Sequence, residues 1–246
     1  MGSTRLDARL VSDGLVPTRA RARDLILRGF VRVDGTVCEK PSRSVAPTVS
    51  VELAEAAPTF VSRGAEKLIA ALDHFDFDAA NRTILDVGAS TGGFTQVLLQ
   101  RGAKRVYAVD VGQGQLHDSL KTDARVISLE KQDARMLTPD IIAAPVDAVV
   151  ADVSFIALSK VLPNVLDLTC NTAWLAALVK PQFELEPENL GKGGIVRDAQ
   201  ARQLAVERVK STIEAKPGWR ILGVIPSPIL GGSGNEEFLI GARRDA

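Results

Sequence analysis

From residue 61 onward, β-rich apolar runs alternate with segments of helical periodicity, and this alternation constrains the fold more than any other feature of the sequence. The candidate strands are residues 82–89, 105–112, 124–131, 146–154, 173–181, 219–226 and 236–243. Strands connected through helices run parallel, so the pattern predicts an α/β fold with a mostly parallel, Rossmann-like sheet and helices on both faces. The last two runs are separated by a Pro/Gly-rich loop without a helix, and we expect them to pair as an antiparallel hairpin at the sheet edge.

Residues 1–55 form a smaller region in which basic residues are concentrated. Nine Lys or Arg oppose five acids between residues 5 and 43, although the whole chain has no formal net charge. Two short helical segments, the second with Thr18 as its N-cap, precede an alternating stretch around Asp34-Gly35, a pair typical of two-residue hairpin turns. The sequence therefore predicts a small α+β domain over residues 1–55, a linker over residues 56–62 and the α/β domain over residues 63–246.

The composition excludes several classes of protein. Cys38 and Cys170 stand far apart, and with only two histidines they provide neither a disulfide framework nor a metal cluster. No apolar run approaches the roughly 18 residues that span a bilayer, and the N-terminus lacks the apolar core of a signal peptide. We therefore expect a cytoplasmic protein that uses neither a metal nor a membrane. Zero net charge still allows a local basic patch that binds nucleic acid.

The loop after the first candidate strand indicates the kind of ligand. In ILDVGASTGGFTQV, residues 84–97, the glycines lack the G-x-G-x-x-G spacing of a dinucleotide site. A phosphate-binding P-loop would need Lys and then Ser or Thr after Gly93, where Phe94 and Thr95 stand. Asp86 precedes the loop and would repel a phosphate. The sequence therefore disfavours a phosphate ligand, and with it a nicotinamide-dependent oxidoreductase.

Acidic residues near the ends of three successive strands instead indicate S-adenosylmethionine, which carries positive charge and no phosphate. Asp86 suits the cationic methionine end, Asp110 can accept hydrogen bonds from both ribose hydroxyls, and Asp133 can accept one from the adenine amino group. The loop glycines allow the backbone to approach the ligand closely. The alternative is that Asp86 and Asp133 are ordinary loop or helix-cap acids. The candidate cofactor-binding residues are Asp86, Gly88, Ser90, Gly92, Gly93, Asp110, Asp133 and Asp152.

Four polar residues lie where catalysis is expected. Asp152 and Lys180 each end an apolar strand, and open α/β sheets bind ligands at the carboxyl ends of their strands. Glu237 begins the last candidate strand, so an antiparallel orientation would bring it to the same edge of the sheet. Lys67 lies on the helix before the first strand. Each residue alone also has an ordinary explanation. Lys67 would by default be a surface lysine, and one of the neighbours Glu236 and Glu237 would be solvated. This explanation is weaker for Asp152 and Lys180, because each directly ends an apolar strand.

The order of elements in residues 3–52 resembles the small αL RNA-binding fold of ribosomal proteins and pseudouridine synthases. The matching positions are Arg5, Thr18, Arg19, Ala22, Ile26, Gly29, Val31, Val33, Asp34 and Gly35. In that family, the second helix and the following strand present basic residues to RNA phosphates. The resemblance therefore implies the candidate RNA-binding residues Arg5, Arg19, Arg21, Arg23, Arg28 and Arg32. On charge alone, these arginines would equally suit a solvated helix face.

Seven further motifs are distributed over nearly the whole of the α/β region: VSRGAEKL, ILDVGASTGGFTQVLL, VDVGQGQL, ADVSFI, VKPQFE, GKGGIVRD and SGNEEFL. Together with the N-terminal region, they resemble the TlyA family of 2′-O-ribose methyltransferases of ribosomal RNA, formerly called haemolysins, whose body is similar to the FtsJ enzymes. The resemblance implies a catalytic tetrad of Lys67, Asp152, Lys180 and Glu237. It also implies cytidine in 23S ribosomal RNA, and in one subtype also in 16S RNA, as the substrate, with ribosomal RNA or subunits as the partner. Pro58 and Phe60 depart from the residues that many members have in the linker, which concerns domain coupling rather than the active site.

A ribose 2′-hydroxyl must lose its proton as it attacks a sulfonium methyl group. Two lysines converging on one site would favour the neutral amine that a base needs, whereas Asp152 and Glu237 would favour the ammonium form. The sequence leaves this balance open, together with the oligomeric state. Our hypothesis is that Lys180 contacts the 2′-oxygen as base or oxyanion stabiliser, while Lys67 positions the RNA or shares that role. The rival interpretations are an RNA-binding protein without methyl transfer and, from the old family name, a membrane-lytic haemolysin.

Overall fold

The computed structural model describes residues 2–143, 145–231 and 234–245, and the chain divides into two compact units, Met1–Ser62 and Arg63–Ala246. We call them the N-terminal unit and the C-terminal unit, and each has a hydrophobic core of its own. Within the described ranges, no helix has both the length and the apolar composition needed to cross a bilayer. In the same residues, no group of three or more His, Cys, Asp or Glu side chains is arranged to hold a metal ion.

The N-terminal unit combines two short helices with short strands. Its elements are β1 (Thr4–Arg5), α1 (Leu6–Ser12), α2 (Arg19–Leu27), β2 (Val31–Val33), β3 (Thr36–Val37), β4 (Ser44–Val45) and β5 (Val51–Leu53). Thr18 caps α2, because its side-chain oxygen accepts a hydrogen bond from the backbone amide of Arg21. β2 and β3 form a hairpin whose turn residues, Asp34 and Gly35, have positive φ angles of 49° and 75°. Positive angles at both positions are what a type I′ turn requires.

The C-terminal unit is a seven-stranded sheet between two layers of helices. Its strands are β6 (Thr83–Val87), β7 (Arg105–Asp110), β8 (Val126–Glu130), β9 (Val146–Ala151), β10 (Thr169–Val179), β11 (Trp219–Pro226) and β12 (Phe238–Arg244). Its helices are α3 (Gly64–Phe75), α4 (Gly93–Gln100), α5 (Asp118–Lys121), α6 (Leu158–Asp167), α7 (Pro181–Glu184) and α8 (Ala199–Glu214). α6 and α8 share one core with alternate strand residues such as Val149 and Leu175, while α3 and α4 pack together on the other face. Burial on both faces explains why the central strands are almost entirely apolar.

The strands lie in the order β11-β12-β10-β9-β6-β7-β8 across the sheet. β10, β9, β6, β7 and β8 are parallel to one another, and β12 is antiparallel to both β10 and β11. This arrangement confirms the predicted fold class, and each of the seven predicted strands has its counterpart. β12 lies inside the sheet, and β11 forms the edge. Because β12 is antiparallel, its first residues lie where the parallel strands end.

Candidate active site

A cavity of about 580 Å³ opens at the carboxyl ends of β6, β7 and β9. Its size lies within the range of about 300–1,000 Å³ that is usual for small-molecule sites. Five of the predicted cofactor-binding residues line it, namely Gly88, Ser90, Asp110, Asp133 and Asp152. Asp86, Gly92 and Gly93 are not part of its lining. We call this space the donor cavity.

Two glycines of the loop are required by the backbone itself. Gly88 has a φ of +83°, and a Cβ atom there would lie 2.6 Å from the carbonyl oxygen of Asp152. Gly92 has a φ of +95°, and its Cβ would lie 2.2 Å from a methyl carbon of Leu120. Any other residue would be strained and crowded at both positions. The glycines therefore let the loop pass close to its neighbours and turn into α4, which begins at Gly93.

Asp110, at the end of β7, is held in a fixed orientation at the wall of the donor cavity. Its Oδ2 accepts a hydrogen bond of 2.8 Å from the backbone amide of Ser90, and its Oδ1 accepts one of 2.7 Å from the amide of Gly112. Each carboxylate oxygen has two lone pairs, so further acceptor capacity remains. The carboxylate can therefore accept hydrogen bonds from two neighbouring hydroxyls of a ligand.

Asp133 lines the same cavity but also serves as a cap. Its Oδ1 accepts a hydrogen bond of 2.9 Å from the amide of Arg135, in the 3-10 turn Ala134–Met136. Its Oδ2 lies 2.6 Å from Nη2 of Arg135. The hydrogen bond from the Arg135 side chain lowers the pKa of Asp133 below its ordinary value. Asp133 is therefore a helix-cap acid, as the ordinary alternative for it stated, and it also lines the donor cavity.

Asp86 lies beneath the loop, completely buried, rather than in the cavity. Thr95 on α4 donates a hydrogen bond of 2.6 Å from Oγ1 to Oδ2 of Asp86. Among the described residues, the other oxygen, Oδ1, has no hydrogen-bond partner. Burial raises the pKa of Asp86 to about 7, and the nearby charges of Asp152 and Asp110 contribute in the same direction while Thr95 opposes them. Asp86 is therefore an acid that is partly protonated near neutral pH.

The four residues of the implied tetrad form two short ion pairs. Nζ of Lys180 lies 2.6 Å from Oδ1 of Asp152 and donates a hydrogen bond of 2.7 Å to Oγ of Ser154. Nζ of Lys67, on α3, lies 2.6 Å from Oε2 of Glu237, which directly precedes β12. Lys67, Lys180 and Glu237 are all buried. The surface-lysine and solvated-glutamate alternatives therefore do not describe Lys67 and Glu237.

A second cavity, of about 330 Å³, adjoins these pairs. It is lined by Ser154, Phe155, Lys180, Gln182, Phe183, Leu190, Gly193, Gly194, Asn235 and Glu237. Ser154 and Phe155 also line the donor cavity, so the two spaces meet at the loop after β9. We call the second space the acceptor cavity. Lys180 and Glu237, one from each ion pair, thus face the same space.

Phe155 lines both cavities, although no sequence pattern predicted a role for it. It is 93% exposed and has a φ of +64°, an uncommon backbone conformation for a residue other than glycine. Its ring packs beside that of Phe183, with ring centroids 5.3 Å apart, and both residues line the acceptor cavity. An exposed aromatic ring in a strained loop is the available signal, and only its place in ADVSFI, directly after a strand, could have indicated it from sequence.

Two buried polar residues hold the loops around the acceptor cavity. Oδ1 of Asn235 accepts a hydrogen bond of 2.9 Å from the amide of Val196, and its Nδ2 donates one of 3.0 Å to the carbonyl of Gly194. In the carboxylate of Glu184, Oε2 accepts 2.7 Å from the hydroxyl of Ser159, and Oε1 accepts from the amide of Leu158 at the start of α6. Asn235 belongs to the SGNEEFL motif, whose Ser233 lies outside the described residues.

The predicted RNA-binding arginines differ in exposure. Arg5, Arg19, Arg23 and Arg32 are exposed on the N-terminal unit. Arg21 departs from the prediction, because its side chain is only 6% exposed, pairs with Asp24 and donates to the carbonyl of Pro58. Arg28 is also exposed, but it pairs with Asp24 and lies over the ring of Phe30. Arg21 therefore supports the fold of the unit rather than an exposed phosphate-binding surface.

Comparisons with known proteins cover both units. A family model described as FtsJ-like methyltransferase matches residues 60–244, and one described as S4 domain matches residues 4–50. The chain is 46% identical over 240 residues to the 16S/23S rRNA (cytidine-2′-O)-methyltransferase TlyA of Mycobacterium tuberculosis, covering 97% of this chain and 89% of the relative. It is 38% identical over 236 residues to Hemolysin A of Brachyspira hyodysenteriae, covering 96% and 98%. A solved structure from Streptococcus thermophilus matches with a TM-score of 0.78 at 37% identity, covering 100% of this chain and 90% of that one.

The methyltransferase match spans both cavities and both ion pairs, and the S4 match spans most of the N-terminal unit. The resemblance that the sequence motifs indicated is thereby confirmed. The chain belongs to the TlyA group of FtsJ-like methyltransferases and carries an S4 domain in its N-terminal unit.

Proposed function

We propose that the protein transfers a methyl group from S-adenosylmethionine to the 2′-hydroxyl of a cytidine ribose in 23S ribosomal RNA, with 16S RNA as a second candidate. The observation that carries this proposal is the position of the Lys180–Asp152 ion pair. Asp152 lines the donor cavity and Lys180 lines the acceptor cavity, so ligands in the two spaces would meet at this pair. The name of the Mycobacterium tuberculosis relative, a 16S/23S rRNA (cytidine-2′-O)-methyltransferase, supports the choice of acceptor.

The donor cavity fits S-adenosylmethionine in charge as well as in size. Asp110 keeps acceptor capacity for the two ribose hydroxyls, and Asp133 would accept from the adenine amino group while it remains paired with Arg135. The carboxylates of Asp110 and Asp152 favour a cationic ligand at this wall. Gly88 and Ser90 would contribute backbone contacts from the loop. When bound, S-adenosylmethionine supplies an electrophilic methyl group on a sulfonium.

Lys180 is the residue proposed to contact the reacting oxygen. Its Nζ is held between Asp152 and Ser154 at the boundary of the two cavities. An ammonium fixed at this point stabilises the negative charge that develops on the 2′-oxygen as the hydroxyl proton leaves, without reorganisation during the reaction. In this role the proton passes to solvent water; when Lys180 is instead the neutral amine, the same nitrogen accepts the proton as a base. Fixing donor and acceptor against each other supplies further rate enhancement.

The Lys67–Glu237 pair is proposed to hold the other side of the acceptor cavity. It ties α3 to the start of β12 across 170 residues of sequence, and both side chains are buried. Removing one partner would leave an uncompensated buried charge, which typically destabilises a protein by about 3–5 kcal/mol. Through Glu237, which lines the cavity, the pair positions the ribose or shares the role of Lys180.

We further propose that Phe155 stacks on the target base. A nucleotide within folded RNA must leave its stack before its ribose can enter a cavity, and an exposed aromatic ring can replace part of the lost stacking. The ring of Phe155 stands between both cavities and beside Phe183. The exposed arginines of the N-terminal unit would contact RNA phosphates, an interaction that weakens as salt increases. Free thiols at Cys38 and Cys170 suit the reducing cytoplasm, where this substrate is found.

Mass-spectrometric mapping of 2′-O-methylated nucleotides tests the proposal directly. Unmethylated ribosomal subunits would be incubated with S-adenosylmethionine and the wild-type protein, Lys180→Met or Lys216→Met. Lys216 is the matched control, because its ammonium pairs with the exposed Asp167 on the surface. We expect wild type and Lys216→Met to methylate a cytidine and Lys180→Met to lose the activity at least a hundredfold while it still binds the donor. Absence of methylation by the wild type, or full activity of a folded Lys180→Met, would refute the proposal.

A further inference from the structure

The N-terminal unit contains a completely buried carboxylate, Asp7, that joins two of the exposed arginines. Nε and Nη2 of Arg5 donate to Oδ1 and Oδ2 of Asp7 at 3.1 and 2.9 Å. Nη2 of Arg19 donates to the same Oδ2 at 3.1 Å. The side chains of Arg5 and Arg19 are nevertheless 46% and 58% exposed. One buried acid therefore anchors two guanidinium groups whose other sides face the solvent.

The pairing fixes the direction of both guanidinium groups. Arg5 uses one edge of its planar group in a bidentate contact, which leaves the Nη1 side available. Arg19 contacts Asp7 only through Nη2, which leaves Nε and Nη1 available. The hydrogen bond from Arg5 lowers the pKa of Asp7 to about 2, so the carboxylate stays ionised at neutral pH. Two cations from β1 and the first turn of α2 are thereby held next to each other.

We propose that Asp7 is a positioning residue for RNA binding, which holds Arg5 and Arg19 as one preorganised phosphate-binding pair. This inference rests on the proposed function, in which the N-terminal unit binds ribosomal RNA. An unpaired arginine loses side-chain freedom when it binds a phosphate, whereas a guanidinium already fixed by Asp7 loses less. Asp7 thus strengthens RNA binding although its own charge repels RNA.

Positioning by Asp7 and simple electrostatics predict opposite changes in RNA affinity when Asp7 is replaced. Replacing Asp7 with Asn removes a negative charge, so charge alone predicts tighter binding to RNA. Positioning predicts weaker binding, because Arg5 and Arg19 lose their common anchor. Asp13→Asn is the matched control, since Asp13 lies in the same unit and its carboxylate pairs with Arg9, outside the set of arginines proposed to bind RNA.

The experiment measures binding of the full-length protein to ribosomal subunits as a function of salt. We expect Asp7→Asn to bind about tenfold more weakly at moderate salt and to reduce the slope of log K against log salt by about 1. Asp13→Asn should bind at least as tightly as the wild type. Equal or tighter binding by folded Asp7→Asn would overturn the inference. A variant that is merely less stable would lower the active fraction without changing the salt slope.

A second pair of variants keeps the inference testable if Asp7→Asn does not fold. Arg5→Lys keeps the charge but loses the bidentate contact with Asp7, while Arg9→Lys keeps the charge of an arginine that pairs with Asp13 and lies outside the set proposed to bind RNA. We expect Arg5→Lys to weaken binding about fivefold and Arg9→Lys to change it less than about twofold. Equal effects of the two variants would overturn the inference. If Arg5→Ala and Arg19→Ala also leave RNA binding unchanged, the result contradicts the proposed role of the N-terminal unit in RNA binding rather than the positioning role of Asp7 alone.

Discussion

Replacing Asp86 with Asn tests whether the buried carboxyl beneath the glycine loop makes folding dependent on pH. The pKa of Asp86 is raised from 3.8 to about 7 in the folded protein, mainly by burial. Between about pH 4 and pH 7 the folded state therefore holds a proton that the unfolded state has released, so the stability from this group falls as the pH rises. Each pKa unit corresponds to about 1.4 kcal/mol, so complete ionisation lowers the free energy of unfolding by about 4 kcal/mol.

Asp86→Asn removes this titration and keeps an oxygen that can accept the hydrogen bond from Thr95. Urea denaturation of both proteins from about pH 4.5 to about pH 8 gives their free energies of unfolding. Over this pH range we expect the free energy of unfolding of the variant to rise by about 3 kcal/mol relative to that of the wild type, whatever the stability of the variant at the starting pH. Asp118→Asn, at a side chain that is 97% exposed, serves as the control and should show no such gain. Parallel pH profiles of wild type and Asp86→Asn would refute the reasoning.

Three further substitutions probe the walls of the two cavities. Phe155→Ala should raise the KM for ribosomal RNA about tenfold with little change in kcat, since base stacking on an aromatic ring contributes about 1–3 kcal/mol; an unchanged KM in steady-state assays would exclude the stacking role. Gly88→Ala should destabilise the protein by more than about 1 kcal/mol and weaken donor binding, because its Cβ would meet the Asp152 carbonyl. Gly114→Ala is the control: Gly114 also has a positive φ but has open space around it, so this variant should bind the donor as the wild type does. Calorimetric titration with S-adenosylmethionine measures donor binding by both variants. Glu184→Gln should lower the melting temperature and the methylation rate together, because an amide cannot accept all the hydrogen bonds from the start of α6. A destabilised variant that methylates at the wild-type rate would show that Glu184 does not support the site.

The sheet and one side of the site could be predicted because they depend on local patterns. Alternating apolar runs define the strands, and Asp152 and Lys180 follow from the rule that ligands bind at the carboxyl ends of parallel strands. Helical periodicity could also have predicted that Arg21 is buried. It lies two residues from Arg19, about 200° around a helix with roughly 100° per residue, and so faces the opposite side. Arg23, one turn after Arg19, stays on the exposed face.

Contacts between distant segments could not be predicted in the same way. The partner of Lys67 is Glu237, 170 residues away, and the packing of α3 against β12 brings the two together. The depth of a side chain at a strand end is equally hidden from sequence. Asp86 and Asp110 both follow apolar strand residues, yet Asp86 is buried under the loop and Asp110 lines the donor cavity. Their different depths depend on how α4 covers the sheet, which is a property of the packed structure.

The place of β12 in the sheet determines when the active site can form during synthesis. β12 follows every other strand in the chain, yet it lies between β10 and β11, so these two strands must stay apart until it arrives. A growing chain can already contain the glycine loop, Asp152 and Lys180 while Lys67 still lacks its carboxylate partner. The residues of the donor side are thus synthesised first and Glu237 near the end, so a chain that stops before Glu237 lacks one member of the proposed tetrad as well as β12.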